Sequence, residues 1–90
     1  MMMAADGYYA YTGGRIPPDV TRVRIDKSLT VIPAGAFAGN HNIREVDCHV
    51  NVKRVKERAF FMCSSLKRVI MPGVEVVEKF AFADSEADGC

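Results

Sequence analysis

The amino-acid sequence predicts an α/β repeat solenoid, in which about three repeats of 22–23 residues build a parallel sheet and short helical turns. Two observations predict this fold class. Apolar residues return in a fixed order at a spacing of 23 residues, and each return begins with the period-two alternation of a β-strand. A length of 90 residues allows at most one domain. The composition, 49% hydrophobic and 26% charged, is too apolar for a disordered chain.

The first 19 residues are interpreted as a lead-in or cap. Tyr8, Tyr9 and Tyr11 surround an alanine and are followed by Gly13 and Gly14, which predicts a short edge strand that ends in a turn. The segment lacks the basic start and the unbroken apolar run of a secretory signal, and no stretch of the chain has the length needed to span a bilayer. We therefore expect no membrane insertion and favour an intracellular location.

The repeats are recognised from columns of equivalent residues. Three columns have a spacing of 23: Val20, Ile43 and Leu66; Val23, Val46 and Val69; and Ile25, Cys48 and Met71. Four more continue downstream: Leu29 and Val52, Ile32 and Val55, Ala36-Phe37 and Ala59-Phe60, and Asn40 and Cys63. In the third copy these four arrive one residue early, at Val74, Val77, Ala81-Phe82 and Ser85. One deletion between Met71 and Val77 explains the common shift.

These columns divide the chain into a lead-in, residues 1–19, and a repeat region, residues 20–90. The first repeat covers residues 20–42, the middle repeat 43–65 and the last repeat 66–90. A unit of this size cannot bury its own apolar face, so the three are expected to stack and to share one interior.

Each repeat is expected to contain a strand, a turn, a short apolar piece and a segment with one core phenylalanine. The alternation predicts that Val23 and Ile25 point inward and that Arg22 and Arg24 point outward. The AGAFAGN segment and its equivalents are too short for an independent helix, and they fit a single helical or 3₁₀ turn. Stacking should then align the three phenylalanines in one column: Phe37, Phe60 and Phe82.

Three segments resemble the BspA-like leucine-rich repeat family: residues 20–37, 59–66 and 69–82, with AFFMCSSL matching the end of its consensus in full. Cys48 and His49 depart from the Leu-Pro that the family often has. The resemblance implies a leucine-rich-repeat-like right-handed coil with a parallel sheet. It also implies protein recognition, with adhesion at cell surfaces in some members, and no shared catalytic residues.

The outward strand positions form two ladders, which are the candidate partner-binding site. The ladders are Arg22, Glu45 and Arg68, and Arg24, Asp47 and Ile70. Neighbouring parallel strands would place opposite charges side by side. Such a face is either a solvated surface or a recognition surface for a protein partner that the sequence does not identify. Ile70 is the apolar member and is therefore the first candidate for a contact.

Other classes of function have little support. A basic group (Lys53, Arg54, Lys56, Arg58, Lys67 and Arg68) is spread over more than one side of the repeat and has no interleaved aromatic residues, so nucleic-acid binding is not expected. Cys48 and Cys63 occupy core columns and read as buried apolar residues. His41 and His49 have no metal-ligand spacing. We expect no enzymatic activity, no cofactor, no metal and no small-molecule substrate.

The repeat pattern fails after Ser85, since Asp88 or Gly89 occupies the place of Leu66, and a fourth strand would begin just where the chain stops at Cys90. The last repeat is thus expected to expose its strand edge. Two explanations are compatible with this ending. The chain is a truncated piece of a longer array, or it is a structural element that self-associates edge to edge through two copies.

Overall fold

A computed structural model describes residues 7–85 as a stack of repeats with strands on two sides. The strands are β1 (Tyr9–Tyr11), β2 (Arg22–Ile25), β3 (Val31–Ile32), β4 (Glu45–Asp47), β5 (Arg54–Val55), β6 (Arg68–Ile70) and β7 (Val76–Val77). They form two parallel sheets, a main sheet in the order β1-β2-β4-β6 and a second sheet in the order β3-β5-β7. Each repeat contributes one strand to each sheet, and the lead-in contributes the edge strand predicted for it.

Equivalent residues of successive repeats lie side by side. In the main sheet Val23 pairs with Val46, which pairs with Val69. In the second sheet Val55 pairs with Ile32, 23 positions earlier, and with Val77, only 22 positions later. The register therefore confirms both the period and the single-residue deletion in the last repeat.

The third side of each repeat is a series of tight turns, where the sequence predicted a single helical or 3₁₀ turn. No helix occurs among residues 7–85. The N–H of Phe37 donates to the carbonyl of Ala59 at 2.7 Å, and that of Phe60 donates to the carbonyl of Ala81 at 2.7 Å. Other amides bond within the segment to the carbonyl three residues earlier, as from Asn40 to Phe37 at 3.1 Å. The segment is therefore a series of i→i+3 turns that also bonds to the next repeat, and not a continuous α-helix.

Left-handed residues keep each turn segment from forming a continuous right-handed helix. Gly35 and Gly39 have φ of 67° and 74°, which lie outside the right-handed helical region. The same two positions are left-handed in the later repeats, where they are not glycine: Arg58 (57°), Met62 (57°), Phe80 (60°) and Asp84 (56°). The turn geometry is therefore a property of the repeat and not of the glycines in its first copy.

An aromatic column runs along the centre of the stack. The ring centroids of Phe37 and Phe60 are 5.0 Å apart, as are those of Phe60 and Phe82, and the two pairs are nearly parallel at 11° and 8°. This confirms the predicted alignment. Tyr11 of the lead-in extends the column, with its ring 4.9 Å from that of Phe37. The lead-in therefore covers the first end of the shared core.

Among residues 7–85 there is no helix long and apolar enough to cross a membrane. The predicted loss of the repeat pattern at Asp88 and Gly89, and the chain end at Cys90, lie outside the described residues.

Candidate functional site

The structure brings the six predicted site residues together on the outer face of the main sheet. Pairing of β2, β4 and β6 places Arg22, Glu45 and Arg68 in one row. The second row, two residues further along the strands, is Arg24, Asp47 and Ile70. We call these two rows, together with Tyr8, the outer face.

Opposite charges pair across β2 and β4. The Nε atom of Arg22 lies 3.6 Å from Oε2 of Glu45, and Nε of Arg24 lies 3.4 Å from Oδ2 of Asp47. All four side chains remain partly exposed, so each pair contributes only about 0–1 kcal/mol to stability. Their structural effect is to hold the two arginines along the sheet.

Tyr8 completes this part of the outer face and was not predicted as a site residue. Its hydroxyl donates to Oε1 of Glu45 at 2.8 Å, and its ring lies 4.5 Å from the guanidinium carbon of Arg24 and 5.8 Å from that of Arg22. The hydrogen bond to the Glu45 carboxylate raises the pKa of Tyr8. β1 pairs Tyr9 with Val23 at a separation of 14 residues, so the 23-residue period carried no signal for this register.

The outer face differs between its two ends. Tyr8, the two arginines of β2 and the two carboxylates of β4 contact one another. Arg68 on β6 makes no ion pair with any residue of the range 7–85. Ile70 beside it is 37% exposed. The β6 end thus combines an available guanidinium with an exposed branched apolar side chain.

The basic group lies on different sides of the molecule. Arg54 is on the second sheet, where its Nη1 lies 2.9 Å from Oε2 of Glu78, and Nη1 of Arg58 lies 3.1 Å from Oε2 of Glu57. The hydrogen bond from Arg54 lowers the pKa of Glu78. Because Arg68 is on the main sheet, these cations do not form one continuous strip.

Cys48 and Cys63 are buried, as predicted, and are poor nucleophiles. Burial raises the pKa of the Cys48 thiol to about 12 and that of the Cys63 thiol to about 11. The Cys63 thiol also donates to the carbonyl of Phe37 at 3.0 Å. Both thiols therefore stay protonated near neutral pH.

His41 and His49 form hydrogen bonds between repeats. Nδ1 of His41 lies 2.7 Å from Oγ of Ser64, and Nε2 of His49 lies 3.0 Å from the carbonyl oxygen of Asp26. Within the described range, no three histidine, cysteine or acidic residues are grouped closely enough to hold a metal ion. Both contacts link residues at equivalent positions of the first and middle repeats.

A protein-family model described as a BspA type leucine rich repeat region, in six copies, matches residues 17–87. No curated protein and no solved structure matches the chain.

Proposed function

Because the chain belongs to the BspA-type leucine-rich repeat family, we propose that it is a non-catalytic protein–protein interaction module that binds through the outer face. Regions of this family are generally interaction modules without enzymatic activity. We take the strands to wind as a right-handed solenoid, which is the usual hand of a parallel crossover. Stacked repeats give such a module a broad and rigid binding surface.

The observation that supports this assignment is the composition of the β6 end of the outer face. Arginine and apolar side chains that lie together are enriched where protein interfaces have their strongest contacts. Arg68 and Ile70 are two residues apart on one strand, so both point to the same side. A partner can therefore bury Ile70 and accept hydrogen bonds from Arg68 at one place.

The paired charges at the β2 end of the outer face orient a partner more than they add to its binding affinity. Within the Arg22–Glu45 and Arg24–Asp47 pairs the opposite charges offset each other, and all four side chains stay partly exposed. Charges at a rim mainly set the rate and the orientation of encounter. If the interface with a partner is centred on Ile70, these ion pairs lie at the periphery of that interface.

The test is quantitative capture of protein partners by purified variants with a matched control for each. Ile70→Asp is compared with Val76→Asp, because the two residues are similarly exposed, at 37% and 38%, and each lies on the edge strand of its sheet. Arg24→Glu is compared with Arg54→Glu, because each arginine is a paired residue on the outer side of its sheet.

We expect Ile70→Asp to reduce capture of a bound protein at least tenfold and Arg24→Glu to reduce it by a smaller factor. The two second-sheet controls should retain it. Equal recovery by all four variants, or loss only with Val76→Asp and Arg54→Glu, would contradict binding by the outer face.

A second candidate function is structural self-association through the last repeat. It is supported by the exposure of Val77, at 48%, in a column whose other members, Ile32 and Val55, are fully buried. Sedimentation over a range of protein concentrations tests it. A mass that rises with concentration, and that Arg24→Glu leaves unchanged, would support self-association. A constant monomer mass would exclude it.

A further inference from the structure

The outer edge of β6 is unpaired among residues 7–85. Arg68 donates its N–H to the carbonyl of Arg44 at 3.2 Å, and the carbonyl of Ile70 accepts from the N–H of Cys48 at 2.7 Å. These two residues therefore direct their backbone groups to β4. Because successive residues of a strand alternate, the N–H and C=O of Val69 point the other way. No strand of residues 7–85 lies on that side.

The inward side of the same edge lacks apolar cover. Val46, Cys48 and Phe60 of the middle repeat are at most 3% exposed. Their equivalents Val69 and Phe82 are only partly buried, although they pack against the core. An added strand would pair with the edge and cover this apolar side in one step.

Charge along the ladders indicates what kind of strand fits. Arg22 of β2 meets the carboxylate of Glu45 on the next strand, and Arg24 meets that of Asp47. Arg68 occupies the same column as Arg22 and has no carboxylate beyond it among the described residues. By analogy with these two pairs, we expect a strand added beside β6 to place an acidic residue next to Arg68.

A second copy of the chain offers a poorer match. At the two edges that residues 7–85 leave unpaired, β6 presents Arg68 and Ile70 on the outward side and β1 presents Ala10. Neither edge brings a carboxylate to Arg68. The first end of the core is also already covered, since Tyr11 is only 3% exposed.

We propose that the edge of β6 binds an extended acidic segment of another protein as an additional parallel strand. The segment places a carboxylate beside Arg68 and an apolar residue beside Val69, facing the core. Backbone pairing supplies affinity, and the alternating side chains supply specificity. This mode goes beyond the proposed function, because it uses the backbone edge of the sheet and does not need the outer face at β2.

The probe is a synthetic peptide with the sequence of residues 43–50, the internal segment that pairs with arginines in this way. Cys48→Leu in the peptide prevents oxidation. A control peptide carries in addition Glu45→Lys and Asp47→Lys. Each peptide is titrated into ¹⁵N-labelled protein, and amide shifts report both the site and the Kd.

We expect the acidic peptide to shift the amides of Val69 and Met71 most and to bind about tenfold more tightly than the control, because an attraction at Arg68 is exchanged for a repulsion. Arg68→Glu in the protein should reverse that order. Arg15→Glu, a charge-matched change at an exposed lead-in residue, should leave it unchanged.

Three results would overturn the proposal: no shift at Val69 and Met71, equal binding of the two peptides, or a stable dimer in which the Val69 amide is already protected. The last would assign the edge to a second copy. Arg24→Glu, which tests the outer face, should leave peptide binding unchanged. Failure of this proposal and failure of the proposed function are therefore distinguishable.

Discussion

The middle and last repeats have nearly the same columns of residues but very different burial. In the middle repeat the column residues are at most 3% exposed: Val46, Cys48, Val52, Val55 and Phe60. In the last repeat the equivalents are partly buried or, for Val77, exposed: Val69, Met71, Val74, Val77 and Phe82. The difference lies in the neighbours, because the middle repeat is covered from both sides. Burial in this fold is thus set by the stack and not by the repeat's own sequence.

The largest expected effect is at the aromatic column. Phe60→Ala should cost about 3–5 kcal/mol, because the ring is fully buried between two others. Phe82→Ala should cost only about 1–2 kcal/mol, because water already reaches part of the ring and little burial is lost. Urea unfolding of both variants gives the two free energies. Similar losses for the two rings would show that the last repeat is as well covered as the middle one.

The next effect concerns the joint between these repeats. A Cβ atom at Gly73 would lie 1.8 Å from the carbonyl oxygen of Val50, so the backbones approach too closely for any side chain. Gly73→Ala should therefore cost about 1–3 kcal/mol, or separate the repeats locally. Gly14→Ala is the control, since nothing lies within 4 Å of its added Cβ. Thermal unfolding of the two variants should differ clearly, and equal melting temperatures would mean that the close approach does not persist in solution.

A smaller and opposite effect is expected at a left-handed position of the middle repeat. Arg58 has φ of 57° where the first repeat has Gly35, so Arg58→Gly should raise the free energy of unfolding by about 0.5–1 kcal/mol. Lys56→Gly, at an exposed position without positive φ, should lower it. The sign of the change, measured in urea, is the readout. A loss of stability with Arg58→Gly would argue against the left-handed turn.

The smallest effect is the acid dependence of the contact between the middle and last repeats. The hydrogen bond from Arg54 lowers the pKa of Glu78 in the folded chain. Its stabilisation is therefore present above the pKa of an unfolded glutamate, about 4.3, and is lost as pH falls through the lower folded value. Arg54→Gln should make stability fall less steeply below about pH 4. Urea midpoints measured from pH 7 to pH 3 test this, and an unchanged acid slope would contradict it.

The repeat, its parallel strands and the aromatic column were predictable because stacking imposes one spacing on every inward side chain. The site ladders followed from the same spacing, since Arg22, Glu45 and Arg68 occupy one column. Tyr8 was not predictable in this way, because the lead-in pairs with β2 outside the period. Its place on the outer face depends on where the turn after β1 returns the chain.

The helical or 3₁₀ turn predicted for the AGAFAGN segment and its equivalents is not confirmed, for a related reason. Their apolar spacing suits either geometry, and the choice depends on hydrogen bonds to the following repeat. Gly35 and Gly39 adopt left-handed backbone readily because they lack a Cβ, whereas the residue types of Arg58 and Met62 in the middle repeat do not predict it. Long-range pairing decides the conformation there, and local propensity does not.

Native-state hydrogen exchange tests most directly whether coverage by neighbours sets the stability of each repeat. The Arg44 and Lys53 amides bond from the middle repeat to the first, at 2.7 and 2.8 Å, and the Lys67 and Glu75 amides bond in equivalent positions from the last repeat to the middle, both at 2.8 Å. We expect the Arg44 and Lys53 amides to exchange only on global unfolding. The Lys67 and Glu75 amides should exchange through a local opening of lower free energy. Equal protection of the two pairs would contradict the difference between the repeats.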